Sequence, residues 1–113
     1  PRDLIENVYF DFDSYTIKEQ YKKPLMTLAN ALLEANTSVL IEGHCDERGT
    51  NEYNLALGDR RANAVKNFLK ASGVPSSQIE TISFGEDKPV CDANTESCWS
   101  KNRRAHFVLE GSR

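Results

Sequence analysis

One stretch concentrates the residues able to do chemistry: Glu42-Gly43-His44-Cys45-Asp46-Glu47-Arg48-Gly49-Thr50, with Arg60 and Arg61 on the segment behind it. Asp46 and Arg61 are of the types that could converge on a small ligand carrying both a cation and an anion. A carboxylate holds an ammonium and a guanidinium fork holds a carboxylate, each through charge-assisted hydrogen bonds worth roughly 1.5–3 kcal/mol. The same two residues could equally form a structural ion pair. His44-Cys45-Asp46 invites a metal or nucleophile reading. Adjacent residues of a strand point to opposite faces, however, so His44 and Cys45 cannot easily act together. Asp13 with Asp46 could form a carboxylate pair for glycan hydrolysis, but nothing in the loop marks a carboxyl held protonated.

Those residues need elements to position them. Val39-Leu40-Ile41 precedes the loop as a β-branched run, and a helical repeat follows it. A strand therefore ends, a polar loop follows and a helix departs, which presents unpaired backbone groups to solvent. Residues 8–13 read as a first strand, with Val8, Phe10 and Phe12 on one face and Asp13 at its end, free to hold a backbone amide or a ligand. Tyr21, Leu25, Leu28, Ala29, Leu32 and Leu33 recur at three and four, the stripe of a helix on a sheet. Pro24 places the regular helix near Lys22 or bends it there, and Asn36 suits its left-handed terminus. Residues 39–43 form the second strand. Thr50 caps a second helix, Glu52 favours its dipole, and Leu57, Ala62, Val65, Phe68 and Leu69 mark its buried face, with Arg61 on the border. Gly73 and Pro75 end it. Residues 79–84 form the third strand, with Ile82 and Phe84 sharing a face. Residues 104–109 form the fourth, with Ala105, Phe107 and Leu109 on one side and His106 without an evident partner. The order β-α-β-α-β-β predicts an α+β two-layer sandwich, two main helices on one face of a four-stranded sheet.

Composition narrows the function classes. A chain of 113 residues suits a single domain spanning 1–113. A net charge of -3 and a pI near 5.4 argue against nucleic acid, and the short run Lys101, Arg103, Arg104 makes no basic stripe. No apolar run reaches the roughly 18 residues of a membrane span. Pro1 is not an initiator Met and Pro1-Arg2-Asp3 does not open a signal peptide, so a trimmed piece that has lost any targeting segment is expected. Cys91 and Cys98 share one hydrophilic loop at a spacing that suits a loop-closing disulfide and not a zinc knuckle; two free thiols in a cytosolic protein is the other reading. Closure of so short a loop would contribute roughly 2–3 kcal/mol. Trp99 would shield the bridge, and the loop, remote in sequence from the charged stretch, would act as a local staple. Cys45 reads as a buried, inert thiol.

The run from Val8 to Tyr15, the Glu42–Thr50 loop, the pattern N-x-x-L-[SG]-x-x-R-A carried by Asn54, Leu57, Gly58, Arg61 and Ala62, and the run from Ser100 to Ala105 together resemble the OmpA-like peptidoglycan-binding domain. The D-E-R-G-T loop with E-Y-N behind it is most similar to that family's peptidoglycan-associated lipoprotein branch. The resemblance implies a mixed sheet in the order 1-4-2-3 and a periplasmic location. It also implies a tether to the outer membrane through a lipidated N-terminal segment that this chain lacks. It implies non-enzymatic, non-covalent binding of the peptidoglycan stem peptide at meso-diaminopimelate, with no cofactor or metal. Asp46 would take the ammonium of the free D-centre and Arg61 its carboxylate. Phe12 and Asp13 would line the opposite wall, Arg48, Gly49 and Thr50 would supply loop contacts, and Leu57 an apolar one. A TolB-like partner is implied on an overlapping surface. The alternative is a protein-interaction module that chiefly binds such a partner. The cysteine pair, and Cys45 in place of a small residue, depart from the family pattern.

Overall fold

The computed structural model describes residues 3–110. Its elements are β1 (Asn7–Tyr9), α1 (Lys22–Ala35), β2 (Ser38–His44), α2 (Asn51–Ala71), β3 (Ile79–Gly85), α3 (Glu96–Asn102) and β4 (Arg104–Glu110), with one-turn 3-10 helices at Glu19–Tyr21 and Ser76–Gln78. The sheet runs β1-β4-β2-β3. β4 is antiparallel to both β1 and β2, while β3 is parallel to β2. The C-terminal ends of β1 and β2 therefore meet the N-terminal end of β4 at one edge of the molecule, and the charged loop emerges there.

The expected α+β sandwich and sheet order are present, and several boundaries follow the chemistry read from sequence. α1 starts at Lys22, two residues before Pro24, and ends on Asn36 in the left-handed region at φ 49°. The Thr50 side chain caps α2 by accepting from the Tyr53 amide at 3.1 Å. The core gathers Leu25, Leu28 and Leu32 of α1, Val65 and Leu69 of α2, and Val8, Val39, Ile41, Ile79, Ala105 and Phe107 of the sheet. At fifteen buried residues, this cluster supplies the burial that orders the strand ends.

Three expectations need correction. β1 is only three residues long. Phe10 adds one further backbone bond, to the Arg103 carbonyl at 2.9 Å, and the chain then turns as Ser14 N–H reaches the Asp11 carbonyl and Asp13 takes φ 57°. Phe12 thus leaves the sheet and is 59% exposed instead of sharing a buried face with Val8 and Phe10. On β3, Ile82 and Phe84 do share a face, the one away from the helices, where Ile82 is 40% exposed, while Ile79, paired with Val39, packs in the core. The cysteine loop is not all loop. Thr95 caps the short helix α3 by accepting from Cys98 N–H at 3.3 Å, and Asn102 closes the loop by donating to the Cys91 carbonyl at 2.8 Å. His106 does have a partner, Asn7 Oδ1 at 3.0 Å.

One close crossing fixes α2 against β2. A Cβ on Gly43 would overlap the Gly58 carbonyl, so the glycine pair lets the helix backbone lie directly on the strand end that carries the loop.

Candidate functional site

Asp46 sits just past the end of β2 and is 4% exposed. Its carboxylate is held by its neighbour two residues on. Arg48 donates from its amide to Oδ1 at 3.0 Å, from Nε to Oδ1 at 3.2 Å and from Nη2 to Oδ2 at 2.8 Å. Arg103 Nη1 lies 3.5 Å from Oδ2. Burial opposes ionisation of Asp46, but the hydrogen bonds and charge of Arg48, with Arg103 behind, hold its carboxyl below the ordinary value. The Arg48 guanidinium is itself sandwiched, 4.1 Å from the Phe12 ring centre and 4.0 Å from that of Trp99. Cation–π contact on both faces explains why Phe12 stays outside the core.

Arg61, nearly three turns into α2, is 1% exposed. It does not pair with Asp46. Its Nε donates to the Ser14 carbonyl at 2.8 Å, Nη1 to the His44 carbonyl at 3.0 Å and Nη2 to the Asp11 carbonyl at 3.1 Å. The side chain thus ties the β1–α1 turn to the end of β2. Burial lowers its pKa from the usual arginine value, with Cys45 and Asp46 opposing; a guanidinium still keeps its proton at neutral pH. Of the five donors an arginine carries, one on each of Nε, Nη1 and Nη2 is engaged by these carbonyls.

The opposite wall is Phe12 and Asp13. Tyr53 hydroxyl donates to the Asp13 carboxylate, which fixes the turn over the first turn of α2. Asn54 Nδ2 reaches the Arg48 carbonyl at 3.0 Å and Glu86 Oε1 at 2.6 Å, pinning the base of the loop. Cys45 is buried, its thiol donating to the Asn54 carbonyl at 3.2 Å, and burial pushes its pKa up to about 11. It is a packing residue at neutral pH.

These side chains enclose a cleft of about 230 Å³ lined by Phe12, Asp13, Asp46, Arg48, Gly49, Leu57 and Arg61, with Cys45, Tyr53 and Asn54. Of the residues expected from sequence, only Thr50 is outside the lining, since its side chain is spent on the helix cap. Sequence reasoning missed Arg103, Trp99 and Glu96. Arg103 donates Nε to the Phe10 carbonyl at 2.9 Å and Nη2 to Glu96 Oε2 at 2.8 Å. The signal was there in part: Arg103 stands just ahead of an apolar strand, where a charge must find partners. The cysteine loop, expected to stand apart, packs against the site through Glu96 and Trp99. The ring of Trp99 carries Arg48. Among the described residues no cluster of His, Cys, Asp or Glu is arranged to hold a metal ion.

Residues 9–103 match the OmpA family. The peptidoglycan-associated lipoprotein of Agrobacterium fabrum is 48% identical over 95% of this chain, and that of Pasteurella multocida is 52% identical over 87%. The chain spans 61% and 66% of those relatives' own lengths. The crystal structure of the peptidoglycan-associated lipoprotein from Burkholderia pseudomallei superposes with a TM-score of 0.92 at 46% identity, covering 94% of this chain and 91% of that one. The C-terminal domain of Helicobacter pylori MotB shares the fold, with a TM-score of 0.85 at 19% identity, covering 95% of this chain and 85% of that one.

Proposed function

Because the chain belongs to the OmpA family, we propose that its cleft binds peptidoglycan at the meso-diaminopimelate of the stem peptide, without covalent chemistry. The observation that carries this reading is that Asp46 and Arg61 line one cleft while each is held by other partners. A carbon bearing both an ammonium and a carboxylate matches an acid and a base held side by side in that way. Asp46 would take the ammonium and Arg61 the carboxylate. Phe12 and Asp13 form the facing wall, Leu57 would cover the methylene chain, and the loop at Arg48 and Gly49 would close the mouth. Lysine in place of diaminopimelate would lack the carboxylate and leave buried donors of Arg61 unmatched, which is costly enough to discriminate.

The relatives named as peptidoglycan-associated lipoproteins support the wall as ligand. Such binding would tether the outer membrane to the wall through a lipid anchor. The exposed aromatics Phe12, Tyr15 and Tyr53 at the mouth favour a second occupant of the same surface, a TolB-like periplasmic protein. Co-sedimentation with isolated sacculi tests the first reading: wild type pellets with the wall and Asp46→Asn does not. Retention of Asp46→Asn on sacculi would remove Asp46 from the site and leave the protein partner as the better account.

A further inference from the structure

The Asp46 carboxylate has little free capacity in this structure. Oδ1 accepts twice from Arg48, and Oδ2 accepts from Arg48 and lies within reach of Arg103. A carboxylate offers about four acceptor sites; Arg48 fills three and Arg103 faces the last, so a ligand ammonium at Asp46 competes directly with the chain's own cations. The two arginines differ in what holds them. Arg103 is anchored to the Phe10 carbonyl and by two bonds to Glu96, and its side chain is 8% exposed. Arg48 is 32% exposed and, apart from Asp46, is held by two ring faces, on which a planar guanidinium slides at little cost. A second carboxylate stands beside it, with Arg48 Nη2 3.9 Å from Glu96 Oε1. A shift of about 1 Å would bring that pair to hydrogen-bonding distance.

We propose that Arg48 is a two-seat gate on the ligand site: it leaves Asp46 for Glu96 as a ligand ammonium takes its place, while Trp99 and Phe12 hold its plane. The proposal rests on the wall-ligand reading above. It gives the Cys91–Cys98 disulfide a role beyond stapling. The bridge, with Cα atoms 5.3 Å apart, together with the Thr95 cap and the Asn102 bonds to Cys91, holds α3 so that Glu96 faces Arg48. Glu96, Trp99 and the two cysteines are positioning residues, acting on the ligand through Arg48.

Titration calorimetry with the tripeptide L-alanyl-γ-D-glutamyl-meso-diaminopimelate distinguishes a gate from a simple contact by sign. Arg48→Gln removes the competitor and tightens binding roughly two- to fivefold, the range of a partly exposed ion pair. Glu96→Gln removes the second seat and weakens binding by a similar factor in wild type, but has no effect in the Arg48→Gln background. The Cys91→Ser/Cys98→Ser double variant follows Glu96→Gln in both backgrounds. Weaker binding by Arg48→Gln, or an equal loss from Glu96→Gln in both backgrounds, overturns the gate. If wild type binds and Asp46→Asn does not, that failure belongs to the gate alone. If wild type does not bind the tripeptide, the wall-ligand reading falls and the gate with it.

Discussion

Arg61 shows how one residue can serve fold and site at once. Its place in the cleft was legible in the sequence through the family pattern, but its bonds to the Asp11, Ser14 and His44 carbonyls were not, because they depend on a turn whose shape no local spacing encodes. Arg61→Ala would strand three carbonyls and leave a buried hole, so its melting temperature should fall by about 10 °C or more in a thermal scan. A change in ligand binding by that variant would therefore not isolate a ligand contact; Asp46→Asn is the cleaner probe. His44 lies on the other face of β2, buried, with Nε2 3.1 Å from Glu42 Oε1 and Nδ1 without a partner. Burial, and then the charge of Arg104, lower its pKa below 6.5, against the pull of Glu42; His106 also faces it and lowers it further. In the window between that lowered value and 6.5 the unfolded chain binds more protons than the folded one. Stability therefore rises with pH through the window and is lost as pH falls below 6.5. Urea midpoints should decline from about pH 7.5 to about pH 5 in wild type and decline less in His44→Gln. The carboxylates held low by arginines, Asp46 and Glu96, add their acid loss only further down, below their ordinary values of 3.8 and 4.5. Equal slopes for both proteins would show that His44 is not the group that titrates.

At the scale of elements, helix starts and stops were readable because they are local chemistry: Pro24, Asn36, Thr50 and Gly73 each act on their own turn. What was not readable is what the strand ends do once they meet. The run 8–13 alternates like a strand, yet only Val8 and Tyr9 of it pair with β4 and Phe10 adds one bond, to the carbonyl of Arg103 just ahead of β4, whose side chain serves as an anchor. α3 was hidden inside a polar cysteine loop too short for any periodicity to show. The close approach at Gly43 was legible in part: a glycine near a strand end suits a close backbone approach, but nothing along the chain named Gly58 as the backbone it meets. Gly43→Ala would drive a Cβ into helix backbone that cannot move aside, and should cost about 3 kcal/mol or more in denaturant unfolding. Gly58→Ala, whose nearest obstacle is the Ser83 side chain, should cost less. The disulfide makes its own prediction. Alkylation without reductant should label no thiol in the native protein, since Cys45 is buried with a pKa near 11, and one thiol after unfolding. Three labels after unfolding would mean that the bridge is absent.

Across the whole molecule, the architecture brings three chain ends to one edge of a sheet and places a loop of mixed charge there. The sandwich itself follows from one apolar face on each helix and alternation in the strands, which is why its class could be read from residues alone, whereas the strand order came from the family resemblance. The cleft is a different kind of object. Its members come from residues 12–13, 45–49 and 53–61, and its walls are braced by residues 96–103, so spacing along the chain says little about their distance in space. Charges of both signs stand around it: Arg48, Arg61 and Arg103 against Asp13, Asp46, Glu86 and Glu96. That balance favours a zwitterion over a simple cation or anion, because a lone charge would leave one member of the set desolvated without a partner. The central claim is that this cleft reads an ammonium and a carboxylate on one carbon. The most direct test is calorimetric titration of wild type and Asp46→Asn with two soluble stem peptides alike except that one carries meso-diaminopimelate and the other lysine. The account predicts binding of the diaminopimelate peptide alone, lost in Asp46→Asn with the fold intact. Equal binding of both peptides by wild type would contradict it, since the carboxylate that Arg61 is placed to receive would then be making no difference.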